Sequence, residues 1–235
     1  MLDLMVGAIL EAREQVAPPR AALVALSGID ASGKGHVAAQ LAERLRQCGR
    51  KVAVLNADGW LNLPQHRFDP FRPAAHFYEH ALRLDEMFER LVEPLRSRGA
   101  VHLTADHADE TATVFRPERY DLEGIEVVLL EGIFLLKREH QGRYDLSIWV
   151  DCSEATALER AVARGQEGLS EAATAASYRR IYFPAQAIHE ERDDPHAAAD
   201  LVYTNDPRLG PPGRVTLGLA AGGDISRIPA FLTAS

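Results

Sequence analysis

The chain of 235 residues has little cysteine, no excess of basic residues and no long apolar run. Its two cysteines, Cys48 and Cys152, form no C-x-x-C pair, which excludes a disulfide framework and suits a reducing compartment. The formal net charge of -8 argues against nucleic acid or an anionic membrane as the main partner. No apolar segment approaches the length of a membrane span, and the first residues lack the basic start of a signal peptide. We therefore expect a soluble cytoplasmic protein that binds neither nucleic acid nor membrane.

An apolar content of 46% suits a single globular domain over 1–235 with a full core. Apolar residues at helical spacing predict an N-terminal helix over 1–17, which the Pro18–Pro19 pair ends. The segment 59–110 begins as a long connection rich in proline and aromatic residues, and such connections tend to carry function. The tail, 207–235, is rich in glycine and proline and has only weak periodicity.

The most informative stretch is a strand, a glycine loop and a helix between Ala21 and Gln47. The apolar run Ala21–Leu26 predicts a buried parallel strand, and a helical pattern follows the loop. Between them, GIDASGK fits the phosphate-loop pattern G-x-x-x-x-G-K in the context which that motif requires. Backbone N–H groups of such a loop point at one anion, and its lysine supplies a charge for the β- and γ-phosphates of a nucleotide. The predicted nucleotide-binding residues are Gly28, Asp30, Ala31, Ser32, Gly33, Lys34, Gly35 and His36.

One position departs from the usual motif. Gly35 follows Lys34, where Ser or Thr usually gives its hydroxyl to Mg²⁺. The metal ion would then be held through water, Ser32 or carboxylates elsewhere. The alternative for the whole loop is an ordinary glycine turn between a strand and a helix. The lysine and the flanking elements favour nucleotide binding.

Four further apolar runs predict core strands that alternate with helices. They are KVAVLNAD, IEVVLLEG, LSIWVDC and DLVYTND. With Ala21–Leu26 they make a mainly parallel five-stranded sheet, so we predict the three-layer α/β/α P-loop NTPase fold with a helical lid. Ligands of such sheets bind at the carboxyl ends of the strands. Asp58, Glu131 and Asp151 fall at three of these ends, beside the phosphate loop.

Two of these acids are candidates for phosphoryl transfer. Asp58 faces the long connection, and we assign it to the acceptor hydroxyl as general base or orienting group. Glu131 ends an apolar strand at a position where an acid can hold Mg²⁺ or its water shell. The alternatives are a helix or turn cap for Asp58 and a loop-capping acid at the core edge for Glu131. The predicted metal-binding residues are Glu131, Asp58 and Ser32.

A lid region is predicted over 155–195. Arg160 and Arg164 lie one helical turn apart in ERAVARG and so share a helix face. This spacing suits a lid that folds over the phosphates. The alternative is a solvated face, on which these arginines pair with Glu159 or Glu167.

Secondary elements outside the central sheet are expected in three places. One helix is predicted over 82–98, and a polar strand-and-turn excursion, which suits a hairpin, over 101–114. Another helix is predicted over 170–182, running to Pro184, and its Arg179 and Arg180 are further lid candidates.

Together these pieces resemble the uridine kinase and phosphoribulokinase family of P-loop kinases. The matching segments extend from about Ala21 to Asp206, and they are SGIDASGKG, NADGW, HFYEHAL, LLEGIFLL and the arginine-bearing helix. Their order with the phosphate loop is more specific than any one of them. The resemblance implies that Asp58 activates the acceptor hydroxyl and that ATP and Mg²⁺ take part in the reaction.

The resemblance also implies where the acceptor binds. In the family, an acid before the long helix contacts ribose hydroxyls, and Glu79 is its counterpart here. The family offers aromatic residues to a pyrimidine before the third strand, whereas this chain has Asp106 and His107 there. The candidate acceptor-binding residues are Glu79, His80, Tyr78, Asp106, His107 and Trp60. The alternatives are a polar turn for the pair at 106–107 and core packing for the aromatic residues.

We therefore predict an ATP-dependent kinase that moves the γ-phosphate to a hydroxyl of a small molecule, like a uridine or nucleoside kinase. Its catalytic residues would be Lys34, Asp58, Arg160 and Arg164. Two alternatives stay open: a kinase of a sugar or vitamin-type acceptor, and a non-catalytic nucleotide-binding regulatory protein, which Gly35 favours. Adenylate-kinase-type enzymes share the Gly-Lys-Gly loop, but they would need more arginines in the acceptor segment. The sequence leaves the oligomeric state open, a homo-oligomer included.

Overall fold

The protein is described by a computed structural model, which covers residues 2–165, 168–211 and 213–218. Six strands form the central sheet in the order β2-β5-β1-β6-β7-β8, and two more form a separate hairpin. The strands are β1 (Ala22–Ser27), β2 (Val52–Asn56), β3 (Val101–His107), β4 (Arg116–Leu122), β5 (Val127–Gly132), β6 (Leu146–Asp151), β7 (Leu201–Thr204) and β8 (Val215–Leu217).

The five predicted parallel strands are confirmed as β1, β2, β5, β6 and β7. The prediction of five strands omitted β8, which pairs antiparallel with β7 at the sheet edge. With only three residues, β8 is too short for a periodic pattern in the sequence. Its pairing with β7 therefore depends on the tertiary fold. A hairpin is present where we predicted one, but only β3 falls within the predicted range 101–114, and its partner β4 lies beyond that range.

Helices cover both faces of the sheet. In the described residues they are α1 (Leu2–Glu14), α2 (Lys34–Gln47), α3 (Pro64–Arg67), α4 (Pro73–His80), α5 (Leu84–Met87), α6 (Glu93–Arg98), α7 (Glu154–Arg164), α8 (Glu171–Ser177), α9 (Phe183–Asp193) and α10 (Pro195–Ala198). None of them combines the length and hydrophobicity that a membrane crossing requires.

The central strand β1 joins two hydrophobic cores because its side chains alternate between the sheet faces. Val24 and Leu26 pack in one core with α1 and α2, whereas Leu23 and Ala25 pack in the other with α5, α6 and α7. All six residues of β1 are buried. The predicted three-layer α/β/α architecture is thus confirmed, and α1 is the predicted N-terminal helix.

Two helices continue through proline by means of a wider turn. The π-helical turn Tyr178–Tyr182 joins α8 to α9, so the helix does not end at Pro184 as we predicted. A second π-helical turn, Phe88–Val92, joins α5 to α6, and Pro94 lies at the start of α6. Proline lacks an N–H and its ring crowds the carbonyl of the preceding turn, so a π-helical turn can accommodate it.

Part of the predicted tail can be placed. Residues 207–211 and 213–218 follow β7 and include β8. Residues 212 and 219–235 of that tail lie outside the described residues, as do 166 and 167 of the predicted lid.

Candidate active site

The phosphate loop lies between the carboxyl end of β1 and the start of α2, as its motif predicts. Gly33 has φ 94°, in the left-handed region that glycine favours, and a Cβ there would collide with the side-chain nitrogen of Asn205. Lys34 is buried, and its Nζ donates a hydrogen bond to the carbonyl oxygen of Ile29 at 3.0 Å. The lysine ammonium therefore lies across the loop that is predicted to hold phosphate.

A carboxylate of the loop is tied to the predicted lid region. Asp30 accepts a hydrogen bond from the N–H of Ala31 at 2.8 Å and another from the buried hydroxyl of Tyr178. Arg164 Nη2 lies 3.8 Å from Asp30 Oδ1. Since Tyr178 and Arg164 belong to different elements of the lid region, both elements reach the loop through one residue.

Asp58 and Glu131 meet at the same edge of the sheet because their strands are neighbours. Asp58 lies in a short 3₁₀ turn, where its N–H donates to the Asn56 side chain at 2.7 Å. Asn56, at the end of β2, pairs in register with Glu131, which lies near the end of β5. Sequence order alone could not show this adjacency, since the strands lie far apart along the chain.

Burial dominates the electrostatics of both acids. It raises the pKa of Asp58, and the nearby carboxylate of Asp30 raises it further, while Lys34 opposes the shift. Burial also raises the pKa of Glu131 to about 7, with Lys34 again opposing and Asp58 adding to the rise. Arg164 lowers both pKa values to a smaller extent. These mutual effects indicate that the five charged groups lie close enough to influence one another.

The residues present fit a magnesium ion that is bound together with nucleotide. Glu131 is only 6% exposed, and a Cβ on Gly35 would lie 3.3 Å from its Oε1. Its carboxylate therefore lies close to where a Ser or Thr side chain at position 35 would stand. Ser32 Oγ is buried and has no hydrogen-bond partner among the described residues. In the described part of the chain, no three Asp, Glu, His or Cys residues form a cluster that could hold a metal ion by themselves.

Two cavities lie on either side of Asp58. The larger, of ≈ 380 Å³, opens between the end of β2, the 3₁₀ turn and the β3–β4 hairpin. Besides Asp58, three carboxylates line it, and none of its described lining residues is lysine or arginine. Two stacked rings also line it, with centroids 6.2 Å apart. These residues are Asp58, Asp109, Glu110, Glu118, Trp60 and Tyr120.

The smaller cavity, of ≈ 60 Å³, lies between Asp58 and the lid region. Arg164 and the buried Arg67 line it, together with Gln186. Gln186 Oε1 is buried and has no hydrogen-bond partner among the described residues. Asp30 also lines this cavity, so it connects with the phosphate loop.

The two predicted lid arginines occupy different environments. Arg164 faces Asp30 and the smaller cavity. Arg160 instead donates to the carbonyl oxygens of Ser32 at 3.0 Å and Asn205 at 2.7 Å. Neither pairs with Glu159, which binds Arg208 at 2.7 Å, and Glu167 lies outside the described residues. Of the weaker lid candidates, Arg179 is exposed and Arg180 lines a separate surface cavity.

The predicted acceptor residues are only partly brought together. Trp60 and His107 line the larger cavity, and Trp60 also belongs to a hydrophobic core. Tyr78 and Glu79 line another cavity, next to Lys137, away from both cavities beside Asp58. There the Tyr78 hydroxyl donates to Asp193 at 2.6 Å.

Three other predicted residues also lie outside the two cavities beside Asp58. His80 is exposed, with Nε2 3.8 Å from the Glu79 carboxylate. Asp106 has its carbonyl bound by Arg83. His36 lies on the exposed face of α2, 3.1 Å from the Gln40 side chain.

Several site residues were not predicted. Sequence reasoning missed three residues that line the larger cavity, Glu110, Glu118 and Tyr120, because they lie in the hairpin turn or in β4, where no motif marks them. Asn205 stands in the segment DLVYTND, which we assigned only as a strand. The polar residues that follow this last strand at the ligand-binding edge were the signal that could have revealed it.

Comparisons with known proteins identify the fold. No protein-family model and no curated sequence matches the chain. A protein from Bacillus stearothermophilus described as a possible uridine kinase is similar in structure, with a TM-score of 0.66 and 19% identity over 86% of this chain and 96% of that one. D-glycerate 3-kinase from Cryptococcus neoformans var. grubii has a TM-score of 0.64 and 12% identity over 92% of this chain and 99% of that one. The chain thus shares the fold of these two proteins, which confirms the resemblance at the level of the fold.

Proposed function

We propose that the protein is an ATP-dependent kinase that transfers the γ-phosphate to a hydroxyl group of a small molecule. One observation carries this proposal: Asp58 and Glu131, from neighbouring strands, share one space with Lys34 of the phosphate loop. Phosphoryl transfer needs an anion cradle, a metal ligand and a group that orients the attacking hydroxyl. The three side chains supply these functions in that order: Lys34, Glu131 and Asp58.

Asp58 lies where it can take the proton of the acceptor hydroxyl. It lines both the larger cavity and the smaller one that reaches the phosphate loop. As the acceptor oxygen bonds to the γ-phosphorus, the bond from that phosphorus to the β–γ bridging oxygen breaks, ADP leaves and Asp58 accepts the proton. Burial raises the pKa of Asp58, which makes its carboxylate a stronger base. Lys34 and Arg164 face the charge that develops on the phosphoryl oxygens.

Glu131, Asp58 and Ser32 are the residues that would hold Mg²⁺. When bound, the ion neutralises charge on the β- and γ-phosphate oxygens. Because Gly35 has no side chain, the carboxylate of Glu131 can lie close to the backbone at that position. This arrangement supports metal binding together with nucleotide in a chain that lacks the usual hydroxyl after Lys34.

The larger cavity favours an uncharged acceptor. Its volume of ≈ 380 Å³ falls in the usual range for small-molecule sites. Phosphate or carboxylate groups on an acceptor would face carboxylates without a lining lysine or arginine to offset them. The stacked rings of Trp60 and Tyr120 offer an apolar edge to a sugar or base ring. We therefore propose a neutral nucleoside or sugar-like acceptor.

An ATP-consumption screen with paired acceptors tests this function. Each neutral nucleoside or sugar is compared with its own monophosphate, and Asp58→Asn serves as the control for background hydrolysis. We expect turnover with a neutral compound and little with its phosphorylated partner. Preference for the phosphorylated compounds would contradict the acceptor class.

A second candidate function rests on Gly35 alone, which replaces a residue that usually contacts the metal. In that case the chain would be a nucleotide-binding regulatory protein. Tight binding of ATP without consumption, across the whole acceptor panel, would favour this alternative over the kinase.

A further inference from the structure

We propose that Asn205 and Arg160 are positioning residues that clamp the Ser32 carbonyl, so that the Ser32–Gly33 peptide presents its N–H to the phosphates of the nucleotide. This inference rests on the proposed nucleotide-binding function and assigns that function two further residues. It also gives Arg160 a different role from a lid arginine that contacts phosphate directly.

The carbonyl oxygen of Ser32 has two hydrogen-bond donors. Asn205 Nδ2 lies at 2.7 Å and Arg160 Nη1 at 3.0 Å. A carbonyl oxygen has two lone pairs, so both are used. Arg160 Nη2 also donates to the carbonyl of Asn205 at 2.7 Å, which ties the two donors together. Ser32 itself is fully buried, so water does not compete for this carbonyl.

Because the peptide is planar, holding the Ser32 carbonyl also fixes the direction of the next N–H in the loop. In a trans peptide the carbonyl and the N–H of the next residue point in opposite directions. Holding the Ser32 oxygen toward Asn205 therefore directs the Gly33 N–H to the opposite side of the loop. Gly33 immediately precedes α2, and N–H groups at a helix start are free to bind anions. The clamp thus fixes one of the donors that a phosphate would need.

Gly33 makes the close approach possible. A Cβ at this position would collide with Asn205 Nδ2 and would stand 3.7 Å from Arg160 Nη1. The second glycine of the motif therefore has two functions here. It adopts the left-handed conformation before α2, and it leaves the space in which the clamp reaches the backbone.

Both donors are themselves held in place. The N–H of Asn205 donates to the carbonyl of Asp151, at the end of β6, at 2.9 Å. The next residue, Asp206, is fully buried and accepts hydrogen bonds from the N–H and hydroxyl of Ser153 and from Thr156 Oγ1. Because Ser153 caps α7, Asp206 fixes the helix that carries Arg160. The segment after β7 therefore positions both halves of the clamp.

The test is the affinity of the full chain for AMP-PNP, an ATP analogue that cannot transfer its γ-phosphate, measured by calorimetry with Mg²⁺. We expect Asn205→Ala and Arg160→Ala each to bind about tenfold more weakly. Because both side chains act on one carbonyl, the double variant should lose much less than the product of the two effects. Arg160→Lys should not restore affinity, since one ammonium cannot reproduce the planar fork that spans two carbonyls.

A matched control separates positioning from simple stability. Gln141 also donates its side-chain amide to two backbone carbonyls, those of Leu136 at 3.0 Å and Asp193 at 2.7 Å, neither of which belongs to the phosphate loop. Gln141→Ala should lower the melting temperature and leave the AMP-PNP affinity unchanged. If Asn205→Ala does not fold, Asn205→Ser keeps a polar group that is too short to reach the Ser32 carbonyl.

The outcomes distinguish the two levels of the proposal. If the unaltered chain binds AMP-PNP and the Asn205 and Arg160 variants bind it equally well, the clamp is wrong and the nucleotide site stands. The clamp is also wrong if their affinity falls only as much as that of Gln141→Ala. If the unaltered chain does not bind AMP-PNP, the proposed function itself fails and the clamp fails with it.

Discussion

The proposed nucleotide side of this molecule, around the phosphate loop, and the proposed acceptor side are built in different ways. Hydrogen bonds from three other elements reach the phosphate loop, through Asn205 after β7, Arg160 on α7 and Tyr178 on the π-helical turn. The acceptor side, within and beyond 59–110, encloses the ≈ 380 Å³ cavity and leaves Phe71 90% exposed. A phosphate site needs a backbone held in one conformation, whereas an acceptor site needs side chains around a space. Under the proposed function, we therefore expect the first side to bind the nucleotide and the second side to decide which acceptor is used.

The distribution of charge differs between the same two sides. Lys34, Arg160 and Arg164 lie at or near the phosphate loop together with acids, whereas the described lining of the proposed acceptor cavity has carboxylates and no lysine or arginine. Asp58 stands at the boundary, since it lines the cavities on both of its sides. Variants on either side should therefore have separable effects on nucleotide and acceptor.

The largest expected effect is at the boundary itself. Asp58→Asn should lower turnover by about a thousandfold, because the amide cannot accept the hydroxyl proton, and it should leave the AMP-PNP affinity measured without Mg²⁺ nearly unchanged. Steady-state kinetics with the acceptor found in the screen, together with calorimetry, measures both. Retained turnover would assign the base to another residue.

The next largest effect is expected for Lys34, the charged residue of the phosphate loop. Lys34→Ala should weaken ATP binding by about a hundredfold, since it removes a charged donor from a buried site. Fluorescence titration with a labelled nucleotide measures this loss, and circular dichroism checks that the fold is kept. An unchanged affinity for ATP would contradict the proposal that the phosphate loop binds the nucleotide.

A smaller effect is expected at Asp206, whose hydrogen bonds hold the segment after β7 against α7. Burial alone would raise the pKa of Asp206, but hydrogen bonds from Ser153, Arg208 and Thr156 outweigh it and keep the pKa well below its ordinary value. Asp206→Asn should lower the free energy of unfolding by about 2 kcal/mol at neutral pH, because these bonds are made to a buried charge. Urea unfolding measures the difference.

The same variant has a pH signature. A carboxylate with a lowered pKa in the folded state contributes its full stabilisation above about pH 4, where the unfolded chain is also ionised. As the pH falls further, the unfolded chain takes up the proton first, so the stabilisation is lost. The gap in unfolding free energy between the original chain and Asp206→Asn should therefore narrow below about pH 4. A gap that stays constant with pH would show that the charge of Asp206 is not the cause.

The smallest predicted effect concerns the metal. Glu131→Gln should reduce the gain in AMP-PNP affinity that Mg²⁺ provides by about tenfold, because a neutral amide is a poorer ligand than a carboxylate. Affinity measured without Mg²⁺ serves as the control and should change little. If Mg²⁺ improves binding equally in both proteins, Glu131 has no part in holding the ion.

Much of the fold could be predicted because its signals are local. The five parallel strands are short apolar runs, and the phosphate loop is a contiguous motif between a strand and a helix. The helix through Pro184 was missed because proline usually ends a helix, and only the structure shows the π-helical turn before it. The strand β8 was missed because it is too short to carry a pattern.

The candidate site was predictable only where its residues follow a motif. Lys34 belongs to the loop motif, and Asp58 and Glu131 lie at or near the carboxyl ends of core strands, so topology alone brings them to one edge of the sheet. Glu110 and Tyr120 belong to a turn and a hairpin strand, whose position over the site depends on packing. Arg160 and Arg164 could not be told apart by spacing, although they face different partners.

The sequence by itself determined the phosphate loop, the parallel strands and the row of acids at their ends, because each depends on neighbours within a few residues. Tertiary structure alone decided which acids share a space, where the acceptor cavity opens and how Asn205 reaches Ser32. The physical reason is distance along the chain: residues 32, 160 and 205 meet only after the strands have paired in their final order.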